Sequence, residues 1–172
     1  MAIYSEPEVE ALGIFLSEFN RESDRGAALT AAAVLDDRLA EILAAFFTDT
    51  TSAKELISGF NAPLGSLASR AAAAHALGLI QDNEFKEITL IRKIRNEFGH
   101  SWKGVSFSAG RVAALCNQLP WLGPKEHEVT ATPRSRLNAA MAILLSDLLW
   151  RARLVSKQRR SMSVWPNKSR NG

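Results

Sequence analysis

One stretch of this chain repeats apolar residues with a helical period, and that repeat constrains the fold more than any other feature. Between residues 24 and 46, apolar side chains recur at intervals of four, three, four, three and four. They are Ala28, Ala32, Leu35, Leu39, Ile42 and Phe46. These intervals place them on one face of an α-helix, while Asp36, Asp37 and Glu41 fall outside that face. The pattern predicts a long amphipathic helix whose small alanines let a neighbouring helix approach closely.

The rest of the chain is also dominated by helical periodicity. Ser23 or Asp24 is expected to cap the long helix, Gly78 to end a later one in the left-handed conformation, and Asp82 to cap the next. We predict a first helix beginning near Ser5 and Pro7, and others near residues 52–60, 66–77, 82–99, 109–118 and 137–155. No useful strand-like alternation occurs. The sequence therefore predicts an all-α fold, a single-domain bundle of about six to seven helices over residues 1–158, with a basic, flexible tail at 159–172.

Composition removes several classes of protein. The single cysteine, Cys116, has no partner for an internal disulfide, and His75, His100 and His127 lack the spacing of a zinc site. No glycine-rich phosphate loop follows a strand, so we expect no metal and no cofactor. Apolar runs are too short to cross a membrane, and the N-terminus has no signal-peptide pattern. We expect a cytoplasmic protein that does not bind membranes.

Charge is distributed unevenly along the chain. Seven of its 21 Lys and Arg residues fall in residues 151–172, a segment with no Asp or Glu, whereas all 18 acidic residues precede it. Two interpretations remain open. The segment is either a solvated end, which we favour, or an arm that contacts nucleic acid, an acidic protein or an anionic surface.

Residues 90–100, with the sequence LIRKIRNEFGH, place an arginine among apolar residues. Helical spacing puts Arg95 on a stripe with Ile88, Ile91 and Phe98, so we expect its side chain to be largely buried. A buried guanidinium needs a partner. The candidates are a carboxylate of the long helix, from Asp36 or Asp37, or a subunit interface.

The same segment carries three polar residues suited to RNA cleavage. If Gly99 ends the helix in a Schellman turn, His100 comes close to Arg95, and both form a polar cluster with Asn96. A histidine can move the proton of a 2′-hydroxyl while an arginine holds the phosphate. The spacing resembles the Arg-Asn-x-x-x-His motif of HEPN-domain ribonucleases, which are helical dimers with the motif at a shared cleft. The structural alternative pairs Arg95 with an acid such as Asp36 and makes His100 a helix cap.

Three segments in order resemble the mannitol operon repressor family. They are FLSEFNRESDRGAALTAAAVLDDRL at 15–39, NAPLGSLASRAAAAHALGLI at 61–80 and LIRKIRNEFGH at 90–100. The resemblance implies an all-helical bacterial protein that represses transcription without a recognised DNA-binding domain of its own.

The residues themselves also argue against sequence-specific DNA binding by a helix-turn-helix. A helix-turn-helix over residues 70–90 fails because Glu84 and Glu87 fall where its second helix should be apolar. Arg92 and Arg95 then provide only a weak basic face, interrupted by Glu97.

The segment ESDRG contains a second cluster of interest. Asp24 fits a charged first helical turn, but Arg25 lies near a positive helix end, which indicates a specific acidic partner. We therefore take Asp24, Arg25, Asp36 and Arg92 as candidate binding residues.

Two functions follow from the sequence. The first is a negative regulator of transcription that acts through protein contacts, as a monomer or a homodimer. The alternative is a HEPN-like, metal-independent endoribonuclease that acts as a dimer through Arg95, Asn96 and His100. We favour the regulator, and the question of enzymatic activity stays open.

Overall fold

The protein is a helical bundle. A computed structural model describes residues 6–108 and 110–166. In that part of the chain there are eight helices, one further single helical turn and no strand. The elements are α1 (Pro7–Phe19), α2 (Asp24–Phe46), α3 (Thr51–Ile57), α4 (Leu67–Ala76), α5 (Asp82–His100), α6 (Gly110–Cys116), the turn α7 (Lys125–Glu128), α8 (Pro133–Leu148) and α9 (Arg151–Ser156). The all-α prediction is confirmed.

The helices differ from the predicted ones at the two ends of the bundle. The expected last helix is divided at Leu149 and Trp150 into α8 and α9, which raises the number of helices above six to seven. The first helix begins at Pro7, and Ser5 lies outside the described residues. Within the described residues, no helix is both long and apolar enough to cross a membrane.

Helix α2 lies at the centre of the bundle and packs against α3, α4, α5, α8 and α9. The predicted face is buried from Ala28 to Ile42, and Phe46 is partly buried at its end. Additional buried alanines, Ala27 and Ala31, let the neighbouring helices approach closely. The predicted cap is Ser23, whose hydroxyl accepts a hydrogen bond from the Gly26 amide at 3.0 Å.

The α4–α5 connection is a Schellman turn. Gly78 has a φ of +70°, as predicted, and the Leu79 amide donates to the Ala74 carbonyl at 2.8 Å.

The cap of α5 was predicted wrongly, because the N-cap residue is Gln81. The backbone N–H of Gln81 donates to the Glu84 carboxylate at 2.6 Å. Asp82 is the first helical residue, and its carboxylate pairs with His75 at 2.8 Å.

A buried ion pair connects α5 to α9. The guanidinium of Arg151 contacts both carboxylate oxygens of Glu84, at 2.6 and 3.0 Å, and also donates to the Leu79 carbonyl at 2.9 Å. Glu84 is only 2% exposed, so this bidentate pair is closed off from most of the solvent. The basic residue at position 151 is therefore part of the bundle.

Other basic residues of the C-terminal segment also contact the bundle. Arg153 pairs with Glu8 at 2.8 Å, and Arg159 donates to the Phe47 carbonyl at 3.2 Å. The Arg160 amide donates to the Phe46 carbonyl at 2.7 Å. The interpretation of this segment as a purely solvated end is thus wrong for its first part. Lys168 and Arg170 lie outside the described residues, and the domain boundary at 158 stays a prediction.

A second buried carboxylate predicts a pH effect on stability. Burial raises the pKa of Glu87, which is 5% exposed, above its ordinary value, while a hydrogen bond with Asn83 opposes that change. A raised folded-state pKa favours folding at low pH, and this contribution is lost as pH rises through the folded-state value. We expect Glu87→Gln to match the wild-type Tm near pH 4 and to exceed it once the pH has risen through the folded-state pKa of Glu87, as measured by thermal denaturation from pH 4 to 8.

The matched control is Glu55→Gln, because Glu55 is an exposed helical carboxylate. The difference in Tm between Glu55→Gln and wild type should stay constant as the pH rises. A Glu87→Gln variant whose Tm difference is constant from pH 4 to 8 would contradict the prediction.

Candidate functional site

A groove of about 580 Å³ opens between α2, the start of α4 and the C-terminal half of α5. The groove forms because α2 carries small alanine side chains here, which do not fill the space between α4 and α5. We call it the α2–α5 groove. Its lining residues are Leu29, Ala32, Ala33 and Asp36 of α2, Gly65, Ser66, Leu67 and Ala68 at the start of α4, and Arg92, Arg95 and Asn96 of α5.

Arg95 lines this groove and is exposed. The prediction that it is buried against Asp36 or Asp37 is therefore wrong. The buried face of α5 passes through Ile94, one residue earlier, so Arg95 falls at the edge of that face. Its Nη1 donates to the Asn96 Oδ1 at 3.3 Å.

The arginine that contacts Asp36 is Arg70 of α4, whose side chain is partly buried. Its Nη1 lies 2.7 Å from the Asp36 Oδ2. Its Nε donates to the Leu64 carbonyl at 2.8 Å and its Nη2 to the Ile57 carbonyl at 2.9 Å. Arg70 thus fixes the α3–α4 loop onto α2. Sequence analysis missed this residue, although a single charge in an alanine-rich helix was a usable signal.

His100 does not complete the predicted polar cluster. Helix α5 continues through Gly99 to His100, so the expected Schellman turn at Gly99 is absent and that prediction is wrong. His100 is exposed and lies outside the residues that line the groove. The structure therefore brings Arg95 and Asn96 together in the groove, without the histidine.

Arg92 is the other arginine of the groove, and it is half-buried. Across residues 6–108 and 110–166, no hydrogen bond or ion pair involves its side chain. It lies three residues before Arg95, so the two guanidinium groups share one face of α5. Within the described structure, no carboxylate pairs with either charge.

Asp24 and Arg25 have structural partners. The Arg25 guanidinium donates to the carbonyl oxygens of Phe98 and Ser101, which are at the C-terminal end of α5. The expected acidic partner is therefore replaced by carbonyls at the negative end of a helix dipole. The Asp24 carboxylate accepts a hydrogen bond from the Phe107 amide at 3.0 Å. Together these contacts hold the end of α5 and the loop that follows it.

Arg134 of α8 strengthens the same region and was not predicted. Its Nη2 donates to the carbonyls of Phe19 and Glu22 at 3.0 and 3.1 Å, and its guanidinium lies 3.5 Å from the Asp24 carboxylate. The guanidinium also lies over the ring of Phe107, 5.3 Å from its centroid. Arg134 therefore joins the α1–α2 turn to α8.

The described residues contain no cluster of three His, Cys, Asp or Glu side chains suited to a metal ion. Cys116 is buried, and burial raises the pKa of its thiol to about 12. A thiol with this pKa is protonated at neutral pH and is a poor nucleophile.

Comparison with known proteins supports the fold. Neither a protein-family model nor a curated protein matches the chain. A chain in the X-ray structure of the MtlR–HPr complex from Escherichia coli has a similar fold, with a TM-score of 0.57 and 20% sequence identity. The similarity covers 82% of this chain and 97% of that chain. It confirms the helical fold that the family resemblance implied.

The contrast between Arg70 and Arg95 gives a prediction about stability. Arg70→Met removes the partner of Asp36 and of two loop carbonyls, so we expect a loss of about 3 kcal/mol in the free energy of unfolding. Arg95→Met removes an exposed side chain, and its loss should be below about 0.5 kcal/mol. Equilibrium denaturation in urea measures both values.

The double variant Asp36→Asn with Arg70→Met tests the cause. It should recover part of the loss, because the uncompensated carboxylate is gone. Equal losses for Arg70→Met and Arg95→Met would contradict this account.

Proposed function

We propose that this protein is a negative regulator of transcription, similar to the mannitol operon repressor, and that it acts by binding another protein. The observation that carries the proposal is the fold likeness to a chain of the MtlR–HPr complex, which extends over 97% of that chain. That protein was solved together with a protein partner, HPr. We therefore take HPr as the partner of this chain.

The packing of α5 supports action through a protein partner. A DNA-reading helix in a helix-turn-helix needs free side chains at its N-terminal end. In α5 that end exposes the acidic Asp82, whose charge would repel phosphates, while the buried Glu84 carboxylate is occupied by Arg151. Arg153 and Arg159, which a basic arm would offer to phosphates, contact Glu8 and the Phe47 carbonyl instead.

The loop between α3 and α4 is the surface we assign to the partner. Phe60 at its tip is 98% exposed, and the neighbouring Leu56 is also exposed. The tip is sharply turned, since Gly59 and Asn61 have φ values of +116° and +59°. A large exposed aromatic side chain on an ordered turn is typical of an anchor residue in a protein interface.

Contacts at the base of this loop hold Phe60 in place. The Leu64 amide donates to the Leu56 carbonyl at 2.8 Å, and Arg70 holds the carbonyls of Ile57 and Leu64. Because the loop is fixed before binding, less conformational entropy is lost when a partner covers it.

The binding prediction uses HPr from the same organism and isothermal titration calorimetry of the full chain. We expect Phe60→Ser to weaken binding by at least about tenfold, because loss of an anchor residue costs about 2 kcal/mol or more. Val129→Ser is the matched control, since Val129 is 94% exposed on another part of the surface. It should bind like wild type. Absence of binding by wild type would overturn the choice of HPr, and equal binding by both variants would overturn the assignment of the loop.

The ribonuclease alternative has less support, because Arg95 and Asn96 line the groove while His100 lies outside it. Incubation of the purified protein with total RNA in the presence of a chelator distinguishes the two functions. We expect the RNA to remain intact. Cleavage that disappears in both Arg95→Ala and His100→Ala would favour the ribonuclease.

The regulatory part of the proposal has its own test in cells. Deletion of the gene should raise the transcript level of the mannitol operon, and expression of the wild-type protein should lower it again. An unchanged transcript level would contradict the proposed repression.

A further inference from the structure

The α2–α5 groove contains positive charge that the described structure does not neutralise. Arg92 and Arg95 both line it, three residues apart on α5, and neither is paired with a carboxylate in the described part of the chain. Like charges at this spacing repel each other on a helix surface. A negatively charged ligand between them would relieve that repulsion.

The one carboxylate of the groove does not provide this charge. Asp36 lines the groove, but its Oδ2 is paired with Arg70 at 2.7 Å. That pair is neutral overall, so the two arginines of α5 remain as an excess of two positive charges. The excess lies in a partly enclosed site, where electrostatic attraction is stronger than on an open surface.

Residues that carry hydrogen-bond donors line the same groove. The groove is lined by Leu67 and Ala68, the first residues of α4, at the positive end of that helix. The Asn96 side chain accepts from Arg95 through its Oδ1, which leaves its amide group as a donor. Two guanidinium groups, an amide and a helix start are a donor set that suits a tetrahedral oxyanion.

The opposite wall of the groove is apolar. Leu29, Ala32 and Ala33 of α2 line it, and Leu29 is partly exposed there. The volume of about 580 Å³ falls in the range of sites for small organic molecules. A free inorganic anion would leave most of this space and its apolar wall uncovered.

We propose that the α2–α5 groove binds a small organic phosphate, with its phosphate group held by Arg92 and Arg95 and its organic part against the alanines of α2. Such a site gives the protein a small-molecule ligand in addition to a protein partner. Neither Phe60 nor Leu56 lines the groove, so binding of the small ligand can be tested separately from the proposed HPr contact, with the purified full chain alone.

The test uses phenyl phosphate as the probe, with its two halves, phenol and inorganic phosphate, as references. Isothermal titration calorimetry in a phosphate-free buffer of low ionic strength measures all three. We expect phenyl phosphate to bind about tenfold more tightly than inorganic phosphate, because its ring covers apolar surface of the groove. Phenol alone should show no measurable binding.

Two charge variants test the arginines. We expect Arg92→Gln with Arg95→Gln to weaken phenyl phosphate binding by at least about tenfold, since charge-assisted contacts are lost. The matched control is Lys86→Gln with Lys93→Gln, which removes the same charge from exposed positions of the same helix outside the groove. This control should bind within about twofold of wild type if the effect is local. Thermal denaturation verifies that both variants are folded.

A third variant tests the apolar wall. Ala33→Leu places a larger side chain in the groove, on an exposed position of α2. It should reduce the affinity for phenyl phosphate to that for inorganic phosphate and leave the latter unchanged. This pattern would support the assignment of the organic part.

Three results would overturn the proposal. One is the absence of phenyl phosphate binding to the wild-type protein. Another is an equal loss of binding in the two charge variants, which would indicate a general charge effect. The third is equal affinity for phenyl phosphate and inorganic phosphate, which would remove the organic part of the ligand.

Discussion

The close packing of helices around α2 is the constraint on which the rest of the structure depends. Five helices contact α2, and Ala27, Ala28 and Ala31 are almost completely buried in these contacts. A helix surface built from alanine lets other helix backbones approach, because the distance between two helices depends on the side chains between them. The small side chain of Ala33, which is exposed, leaves the α2–α5 groove open on the other side of this helix.

Arginine contacts with backbone carbonyls hold the loops and helix ends of this bundle. Arg25 holds the end of α5, Arg70 the α3–α4 loop, and Arg134 the α1–α2 turn. Each guanidinium donates to carbonyls in or near the helix ends, where the last carbonyls of a helix have no partner within the helix itself. A helical bundle whose core is rich in alanine and leucine gains ordered connections in this way.

The arginines divide into those that hold the structure together and those that we propose bind a ligand. Arg25, Arg70 and Arg134 have their donors occupied by carbonyls, whereas Arg92 and Arg95 face a groove. The groove and the Phe60 loop are joined at the start of α4, because Arg70 fixes the loop and the loop leads into Gly65 and Ser66. The two proposed binding surfaces, the exposed Phe60 and the cationic groove, therefore adjoin one ordered segment.

The sequence by itself determined several local features of this protein, although not the two ends of α5. The intervals from Ala28 to Phe46 predicted the central helix, and Ser23 was one of two predicted caps for it. Gly78 predicted the left-handed end of α4. Each of these features depends on residues close in sequence. Only the tertiary structure decided the partners of the charged residues. Asp36 pairs with Arg70 rather than Arg95, and Arg25 binds carbonyls rather than an acid. A stripe of residues on one helix does not fix how far that helix is rotated against its neighbours, and a small rotation moves Arg95 from the core to the groove. Backbone carbonyls are present at every residue, so no sequence pattern reveals which of them an arginine will reach.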